Sequence, residues 1–292
     1  MNLTDVAVFV EAVSAGSLAA AARKLEIAAM AATRRLAALE SELAVRLVHR
    51  TTRALALTAE GEAFLPYAQA LLEEAANGRA AIRPPETGAS GLLRVTSSVP
   101  FGRKVVMAML PAFMHANPLV RVDLLQVDTM VDIVSQGIDL AIRIAPLRDS
   151  TLVARKLADS PRRLYVAPAY VAAHGMPRQL NDLTRHECLA ISGTSHWAFD
   201  CGGRGVRQKI ACRFTANSIE ALHQACLDGL GVTILADWNA AEDVAAGRLL
   251  AVPLIDAQPE GLGIWAVYPS ARLLLPKVRL FVEALKTHLD AA

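Results

Sequence analysis

Apolar side chains recur every three or four positions at the start of the chain, where Leu3, Val6, Phe9, Val10 and Val13 form one stripe at helical spacing. Gly16 ends that helix. Ser17 is placed to cap a second, short helix from Leu18 to Leu25, whose alanine run has high helix propensity and lets another helix approach closely. After a short turn at Glu26-Ile27, the spacing predicts a third helix from about Ala28 to Leu43. With about 3.6 residues per turn, Ala32, Leu36, Leu39 and Leu43 share the side that faces a core. Met30, Arg34, Ala37 and Ser41 fall on the opposite side with Thr33 on its flank, a small, polar surface with one guanidinium that suits a groove. The pattern then changes to β-branched and alternating residues from Leu47 to Leu57, which predicts a hairpin carrying His49, Arg50 and Arg53.

A longer helix follows, opened by Thr58 and running to about Arg83, with Phe64, Ala68, Leu71, Leu72, Ala75 and Ile82 at roughly helical spacing. With no sequence-adjacent partner, such a stripe is expected to be covered by a second copy of the chain, the alternative being its own C-terminal domain. Pro84-Pro85 and Gly88-Ala89-Ser90-Gly91 break the pattern and mark a hinge. From there strands alternate with helices. Strands are predicted at Leu92–Ser97, Val120–Gln126, Leu140–Arg143, Leu164–Ala167, Val232–Leu235 and Ile264–Tyr268, and helices at Arg103–His115, Val131–Gln136, after Pro168, at Ser218–Leu230 and at Pro276–Leu289. The pattern fits two α/β lobes of about 100 residues each.

The length of 292 residues suits about two domains, and 53% hydrophobic against 20% charged residues suits a globular fold. The longest mainly apolar run, Val105 to Met114, contains Pro111 and is about half a membrane span, so no transmembrane segment and no membrane partner are expected. Acidic Asp5 and Glu11 near the start argue against a secretory signal, and the expected location is the cytoplasm. A net charge of +2 names no partner. The local balance does: Arg34, Arg35, Arg46, Arg50 and Arg53 stand against only Glu40 and Glu42, and guanidinium suits phosphates and base edges. Arginines alone fit a solvated helix equally well, but two helices across a tight turn followed by a basic hairpin make the pattern of a winged helix-turn-helix. Cys188, Cys201, Cys212 and Cys226 fit neither a zinc site nor a redox pair. Neither a phosphate loop nor a dinucleotide, hydrolase or metalloprotease motif is present.

These residues resemble the N-terminal domain of LysR-type transcriptional regulators. The resemblance rests on Phe9, Ala15-Gly16-Ser17-Leu18, Ala21-Ala22, Leu25, Leu39-Glu40, Leu43, Leu47, Arg50-Thr51-Thr52-Arg53 and Leu57-Thr58-Ala59-Glu60-Gly61, in register without gaps. It extends over Gly137-Ile138-Asp139-Leu140-Ala141-Ile142-Arg143, Ala167-Pro168-Ala169-Tyr170 and Gly229-Leu230-Gly231, and is poor from Ile191 to Lys209. It implies an α/β protein in three parts: a winged helix-turn-helix over 1–58, a linker and dimerisation helix with its hinge over 59–87, and an effector-binding domain over 91–292. That last domain is similar to periplasmic binding proteins, with lobe I over about 91–161 and 267–292 and lobe II over about 162–266. The implied partners are double-stranded operator DNA, a small effector, further copies as a dimer or tetramer, and RNA polymerase. The DNA-binding residues would be Ser17, Ala29, Met30, Thr33, Arg34, Arg35, Arg50, Thr51, Thr52 and Arg53. One departure stands out: where the family places a polar residue, often Gln, this chain has Ala29, without an amide to read adenine, leaving Arg34, Thr33 and Met30 as candidates for direct readout.

An effector between lobes is expected outside the carboxyl ends of strands, near helix N-termini. That selects Ser97, Ser98, Phe101, Asp128, Thr129, Arg143 and Asn217, with Gly231 as a further candidate. Thr194 joins them because it sits where the resemblance is poorest, as expected if ligand choice is encoded there, though loop variation alone would look the same. The serines and Asn217 serve equally as helix caps, and Arg143 has Asp128 and Asp139 as alternative partners. No cofactor, metal or catalytic residue is assigned. The competing reading is a small-molecule binding protein or enzyme, with Cys188 and His186 as its best nucleophile and base, whose N-terminal helices serve only assembly.

Overall fold

The computed structural model describes residues 1–50, 55–82, 89–129, 131–146, 152–269 and 275–291, leaving aside the side chains of residues 50, 73, 77 and 80–82. The chain divides into two compact units, Met1–Thr87 and Gly88–Ala292.

In the first unit, α1 (Leu3–Ala15) is capped by Asn2, whose Oδ1 accepts from the Thr4 N–H at 2.8 Å, and ends on Gly16 at φ 70°, a left-handed conformation natural to glycine. The Ser17 hydroxyl accepts from the Ala20 N–H at 3.1 Å and starts α2 (Leu18–Lys24). The third helix, α3 (Ala29–Leu43), buries Ala32, Leu36 and Leu39 completely against Val6, Val8 and Phe9 of α1. It ends on Ala44 at φ 56°, a conformation that costs an L-residue about 1–2 kcal/mol. Strands β1 (Val48–Arg50) and β2 (Leu55–Leu57) pair antiparallel as a short wing. Glu40 fixes its entry: the buried carboxylate accepts from the Leu47 and Val48 N–H groups at 2.8 and 3.3 Å. Thr58 joins wing to helix, since its hydroxyl donates to the Arg46 carbonyl at 2.6 Å and accepts from the Gly61 N–H at 3.0 Å.

The long helix α4 (Ala59–Ile82) departs from expectation along its first half. Its stripe is not left bare for a second copy. Ala68 is fully buried, Phe64 packs on Phe9 with ring centroids 5.8 Å apart, and Leu65 and Leu72 join the same core. Sequence adjacency concealed this, because the covering surface comes from α1, at the far end of the unit. Tyr67 and Leu71 remain exposed.

The second unit opens with β3 (Gly91–Ser97), followed by α5 (Val99–Phe101), a π-turn (Gly102–Val106), α6 (Met107–Ala116) and β4 (Val120–Gln126). Next come β5 (Leu140–Ala145), β6 (Leu152–Ser160), β7 (Arg162–Val166), α7 (Pro168–His174), β8 (Leu189–Ile191), β9 (His196–Asp200), β10 (Gly205–Lys209) and β11 (Phe214–Ala216). The chain finishes with α8 (Ile219–Leu227), β12 (Thr233–Ala236), α9 (Asp237–Ala245), β13 (Leu250–Ala251), β14 (Gln258–Pro259), β15 (Leu262–Pro269) and α10 (Pro276–Asp290). Lobe I is a five-stranded sheet ordered β4-β3-β5-β15-β6, with β3 parallel to β4 and β5 and β15 antiparallel to both of its neighbours. Its core joins Leu93, Val95, Leu140 and Ile142 to Phe113 of α6 and Phe281 of α10, whose rings meet edge to face at 5.1 Å. Lobe II gathers three small sheets, β12-β7-β13, β11-β8 and β10-β9-β14.

Several details differ from the sequence reading, among them strands β8 to β11, β13 and β14 and helix α9, which it did not include. Residues 131–136 form no helix; Asp132 accepts from the Val134 and Ser135 N–H groups and holds isolated turns over 133–137. The nine-residue β6 was not predicted, and β15 begins at Leu262, so the chain re-enters lobe I five residues earlier than 267.

Two glycines of α4 give a direct test of the packing. A Cβ on Gly61 would lie 2.0 Å from the Leu47 carbonyl oxygen, whereas one on Gly78 meets nothing within 4 Å. Gly61→Ala is expected to destabilise the N-terminal unit by at least about 2 kcal/mol and Gly78→Ala to stabilise it by about 0.5–1 kcal/mol. Urea unfolding of both variants reads the two signs.

Candidate nucleic-acid interface and interlobe cleft

The helix α3 turns one face to the core and the other to solvent. Ala29, Met30, Thr33 and Arg34 are all exposed, Met30 at 85%. The Thr33 hydroxyl donates to the Ala29 carbonyl at 3.2 Å. Arg34 and Arg35, adjacent in sequence, have separate fates because one residue of helix rotates the side chain by about 100°. Arg35 Nη1 pairs with Asp5 of α1 at 3.0 Å and its Nε is buried, so it fastens α3 to α1. Arg34 has no ion pair among the described residues. Ser17 likewise spends its hydroxyl on the cap of α2. Arg50 ends β1, and Thr51, Thr52 and Arg53 lie outside the described residues.

In the second unit a cleft of about 290 Å³ opens between the lobes. Of the residues selected from sequence, Ser98, Asp128, Thr129, Arg143 and Asn217 line it. Four do not. Ser97 is fully buried and donates to the Ser98 carbonyl at 3.2 Å, because successive strand residues point to opposite sides. Phe101 is fully buried behind the cleft, where its ring meets Trp238 edge to face at 5.4 Å. Gly231 packs backbone to backbone, and a Cβ there would lie 2.4 Å from the Glu187 carbonyl oxygen. Thr194 sits in the turn after β8, its N–H bonded to the Ile191 carbonyl.

Arg162, Ile191, Ile219, Ile234, Trp238 and Asn239 are among the other lining residues and were missed. Trp238 and Asn239 follow directly on the carboxyl end of β12, the position at which the strand-end rule looks for ligand. Arg162 begins β7 and lies outside that rule.

The polar groups of the cleft are unevenly satisfied. Arg162 Nε donates to the Glu260 carbonyl at 2.8 Å. Asp128 Oδ1 accepts from the Val99 N–H at 3.0 Å, capping α5, while its Oδ2 is buried without a partner. Arg143 Nη2 is also buried without a partner, and desolvation lowers the pKa of this guanidinium from its ordinary value. Neither aspartate anticipated for it is engaged with it: Asp139 pairs with Lys277 at 3.1 Å. Asn239, 1% exposed, leaves both amide atoms unpartnered.

Cationic side chains of the π-turn bridge the lobes beside the cleft. Arg103 meets Glu220 of α8 at 2.9 Å, and Lys104 donates to the Asn239 carbonyl and lies 3.8 Å from Glu242. Behind them, buried His223 approaches Asp243 at 2.9 Å, and Arg248 holds the same carboxylate at 2.6 Å. The enzyme reading finds no support in the geometry of Cys188. Burial pushes its thiol up to about 12, and the His186 ring faces the Tyr170 hydroxyl at 3.2 Å. Among the described residues no group of His, Cys, Asp and Glu is arranged to hold a metal ion.

Comparison with known proteins decides between the readings. Residues 86–290 match the family model of the LysR substrate binding domain, and residues 3–62 match that of the bacterial regulatory helix-turn-helix protein, lysR family. The chain belongs to the LysR family. It is 35% identical to the transcriptional regulator DmlR of Escherichia coli over 98% of this chain and 94% of that one. With PtxR of Pseudomonas aeruginosa it shares 34% identity over 99% and 93%. The solved structure of CrgA from Neisseria meningitidis, a LysR-type transcriptional regulator, superposes with a TM-score of 0.64 at 32% identity, covering 99% of each chain. This LysR-family protein is a DNA-binding transcriptional regulator with a substrate-binding domain, and not an enzyme.

Burial lowers the pKa of His223 from its ordinary value, and the nearby Lys104 charge acts in the same direction, while Asp243 and Glu220 oppose them. A histidine kept neutral by folding binds fewer protons than in the unfolded chain. Stability is then retained above the ordinary pKa of 6.5 and falls as pH drops below it. His223→Gln is expected to flatten the loss of thermal stability below pH 6.5, as read by melting temperature across a pH series.

Proposed function

We propose that this LysR-family regulator reads its operator through the exposed face of α3, with Arg34 as the side chain that reaches base edges. Thr33 and Met30 flank it, one offering a hydroxyl and the other an apolar contact for a thymine methyl. The observation that carries the reading is the separation of the two faces of α3: Ala32, Leu36 and Leu39 are fully buried while Ala29, Met30, Thr33 and Arg34 face solvent. The wing residues Arg50, Thr51, Thr52 and Arg53 supply phosphate contacts that fix register without reading sequence. In this reading residues 1–58 bind DNA, 59–87 link and dimerise, and 91–292 hold the effector. The exposed Tyr67 and Leu71 of α4 support a contact between copies, in a dimer or a tetramer. RNA polymerase is the partner at the promoter, and the protein works in the cytoplasm, where its DNA is.

The effector occupies the cleft bounded by Ser98, Asp128, Thr129, Arg143 and Asn217, to which Arg162, Trp238 and Asn239 are added. Its size falls at the small end of ligand pockets. Effector binding shifts the balance between lobe arrangements by the difference in its affinity for them, and operator affinity follows.

Capture of genomic fragments by the purified protein, followed by titration of the best fragment and a scrambled control across a salt series, tests the DNA side. Arg34→Ala is expected to cost about 1–3 kcal/mol on the selected fragment and little on the control. Arg53→Ala should weaken both equally and reduce the salt slope by about one. Equal losses on both sequences for Arg34→Ala would remove α3 as the reading helix.

A further inference from the structure

Two opposite charges share the cleft without pairing. Arg143 lies in the second half of β5 and Asp128 just past the end of β4, both in lobe I, yet Arg143 Nη2 and Asp128 Oδ2 are each buried without a partner. Across the cleft, Asn239 of α9 is 1% exposed with its carbonyl oxygen and its amide nitrogen both unpartnered. The other charged group of the cleft, Arg162, is already held by the Glu260 carbonyl. Unpartnered groups of this kind cost about 1–3 kcal/mol each, more when charged, so a ligand that satisfies them gains what they lack.

Each group specifies the chemistry it can accept. A guanidinium only donates and therefore calls for an acceptor, best a carboxylate held by charge-assisted bonds. An ionised aspartate only accepts, so Asp128 calls for a hydroxyl or ammonium and repels a second carboxylate at that end. Asn239 takes one of each. The remaining walls are mostly apolar, with Ile219, Ile234 and Trp238 among them, alongside the neutral polar side chains of Ser98, Thr129 and Asn217. Two cationic side chains against one carboxylate leave the cleft with one positive charge in excess.

We infer that the effector is an acid that carries a hydroxyl or amino group beside its carboxylate, on an apolar body small enough for about 290 Å³. Arg143 takes the carboxylate, Asp128 takes the adjacent donor, and Asn239 completes both from the other lobe. The inference rests on the cleft being the effector site, and it adds that a plain carboxylic acid of the same shape is rejected because it leaves Asp128 and half of Asn239 unsatisfied.

Matched acids test it on the full-length protein, by fluorescence titration, for which Trp238 is a reporter in the cleft wall, and by thermal shift. The probes are 3-phenylpropanoate, 3-phenyllactate and phenylalanine, with 4-methylpentanoate, 2-hydroxy-4-methylpentanoate and leucine as the aliphatic set. A hydroxy or amino acid is expected to bind at least about tenfold more tightly than its parent acid, and the two arms show which donor is used. Asp128→Asn, which keeps an oxygen for the Val99 N–H, should erase that preference. Arg143→Gln should weaken every acid, and Asn239→Leu, of similar volume, should reduce both effects. Parent acids binding as tightly as their hydroxy and amino counterparts, or none of the six binding, overturns the inference. In the first case sensitivity to Arg143→Gln leaves the cleft itself standing, whereas binding indifferent to all three variants removes the cleft as the site.

Discussion

The effector domain depends on a parallel alignment at the heart of one sheet. In β4-β3-β5 the three strands run the same way, so their carboxyl ends finish on one rim and deliver Ser98, Asp128 and Arg143 to it together. Parallel strands cannot be joined by a tight turn: α5, the π-turn and α6 bring the chain from β3 back to β4, and a connection that includes the turns over 133–137 brings it from β4 back to β5. The opposite rim is stapled. Lys277, in the first turn of α10, is 2% exposed, lies 3.1 Å from Asp139 at the head of β5 and donates to the Leu92 carbonyl at the head of β3. Asp139 in turn accepts from the Arg94 N–H at 3.0 Å. A buried pair of this kind adds little over a well-packed apolar substitute, while losing one partner costs about 3–5 kcal/mol. Its contribution is therefore positional: it fixes the amino ends of two strands to the C-terminal helix, leaving their carboxyl ends to face the other lobe.

The same division between near and distant determinants explains what the sequence could reveal. The ends of α1 and α2 are set by Gly16 and Ser17, whose hydrogen bonds span three residues, and local chemistry of that kind is visible in a one-dimensional pattern. Strands β8 to β11 are three to five residues long; β9 and β10 form a local hairpin, but β8 pairs with β11 and β9 with β14 far along the chain. Nothing in three residues such as Leu189–Ile191 signals that choice. In the cleft, strand-end logic located Asp128 and Arg143, but it could not separate Ser97 from Ser98, which differ only in the face of the strand. Asn239 was hidden for another reason. Its importance lies in having no partner, a property that exists only once the surrounding side chains are in place.

The DNA-binding unit shows how one residue type divides between structure and recognition. Arg34 and Arg35 are chemically identical, yet Asp5 on α1 captures only the second, and the buried Glu40 organises the wing through backbone N–H groups. What faces outward on the first turn of α3 is Ala29 and Met30, so the readout surface is small and apolar except for Thr33 and Arg34. Two non-glycine residues in left-handed conformation, Glu26 and Ala44, stand at either end of α3. A bulkier, better hydrogen-bonding first turn would read more bases directly; in the proposed reading this one places more weight on a single guanidinium and on phosphate contacts.

Regulation requires the two lobes to have more than one arrangement of similar free energy, and one arm of the clasp beside the cleft is weak. The Arg103–Glu220 pair is about half exposed on both sides, so solvent screening holds it near 0–1 kcal/mol. Lys104 is better buried, but it grips a backbone carbonyl and sits only loosely beside Glu242. The Arg103–Glu220 arm alone cannot hold the lobes in one arrangement; Trp238 of lobe II, packed edge to face on Phe101 and donating to the Ser160 hydroxyl at 3.1 Å, adds to the hold. The carbonyl that Lys104 grips belongs to Asn239, whose amide lines the cleft, so the clasp and the ligand act on the same residue from opposite sides. A ligand bridging Arg143 in one lobe and Asn239 in the other would add its differential affinity to that clasp. A few kcal/mol there is enough to move such a balance from one arrangement to the other.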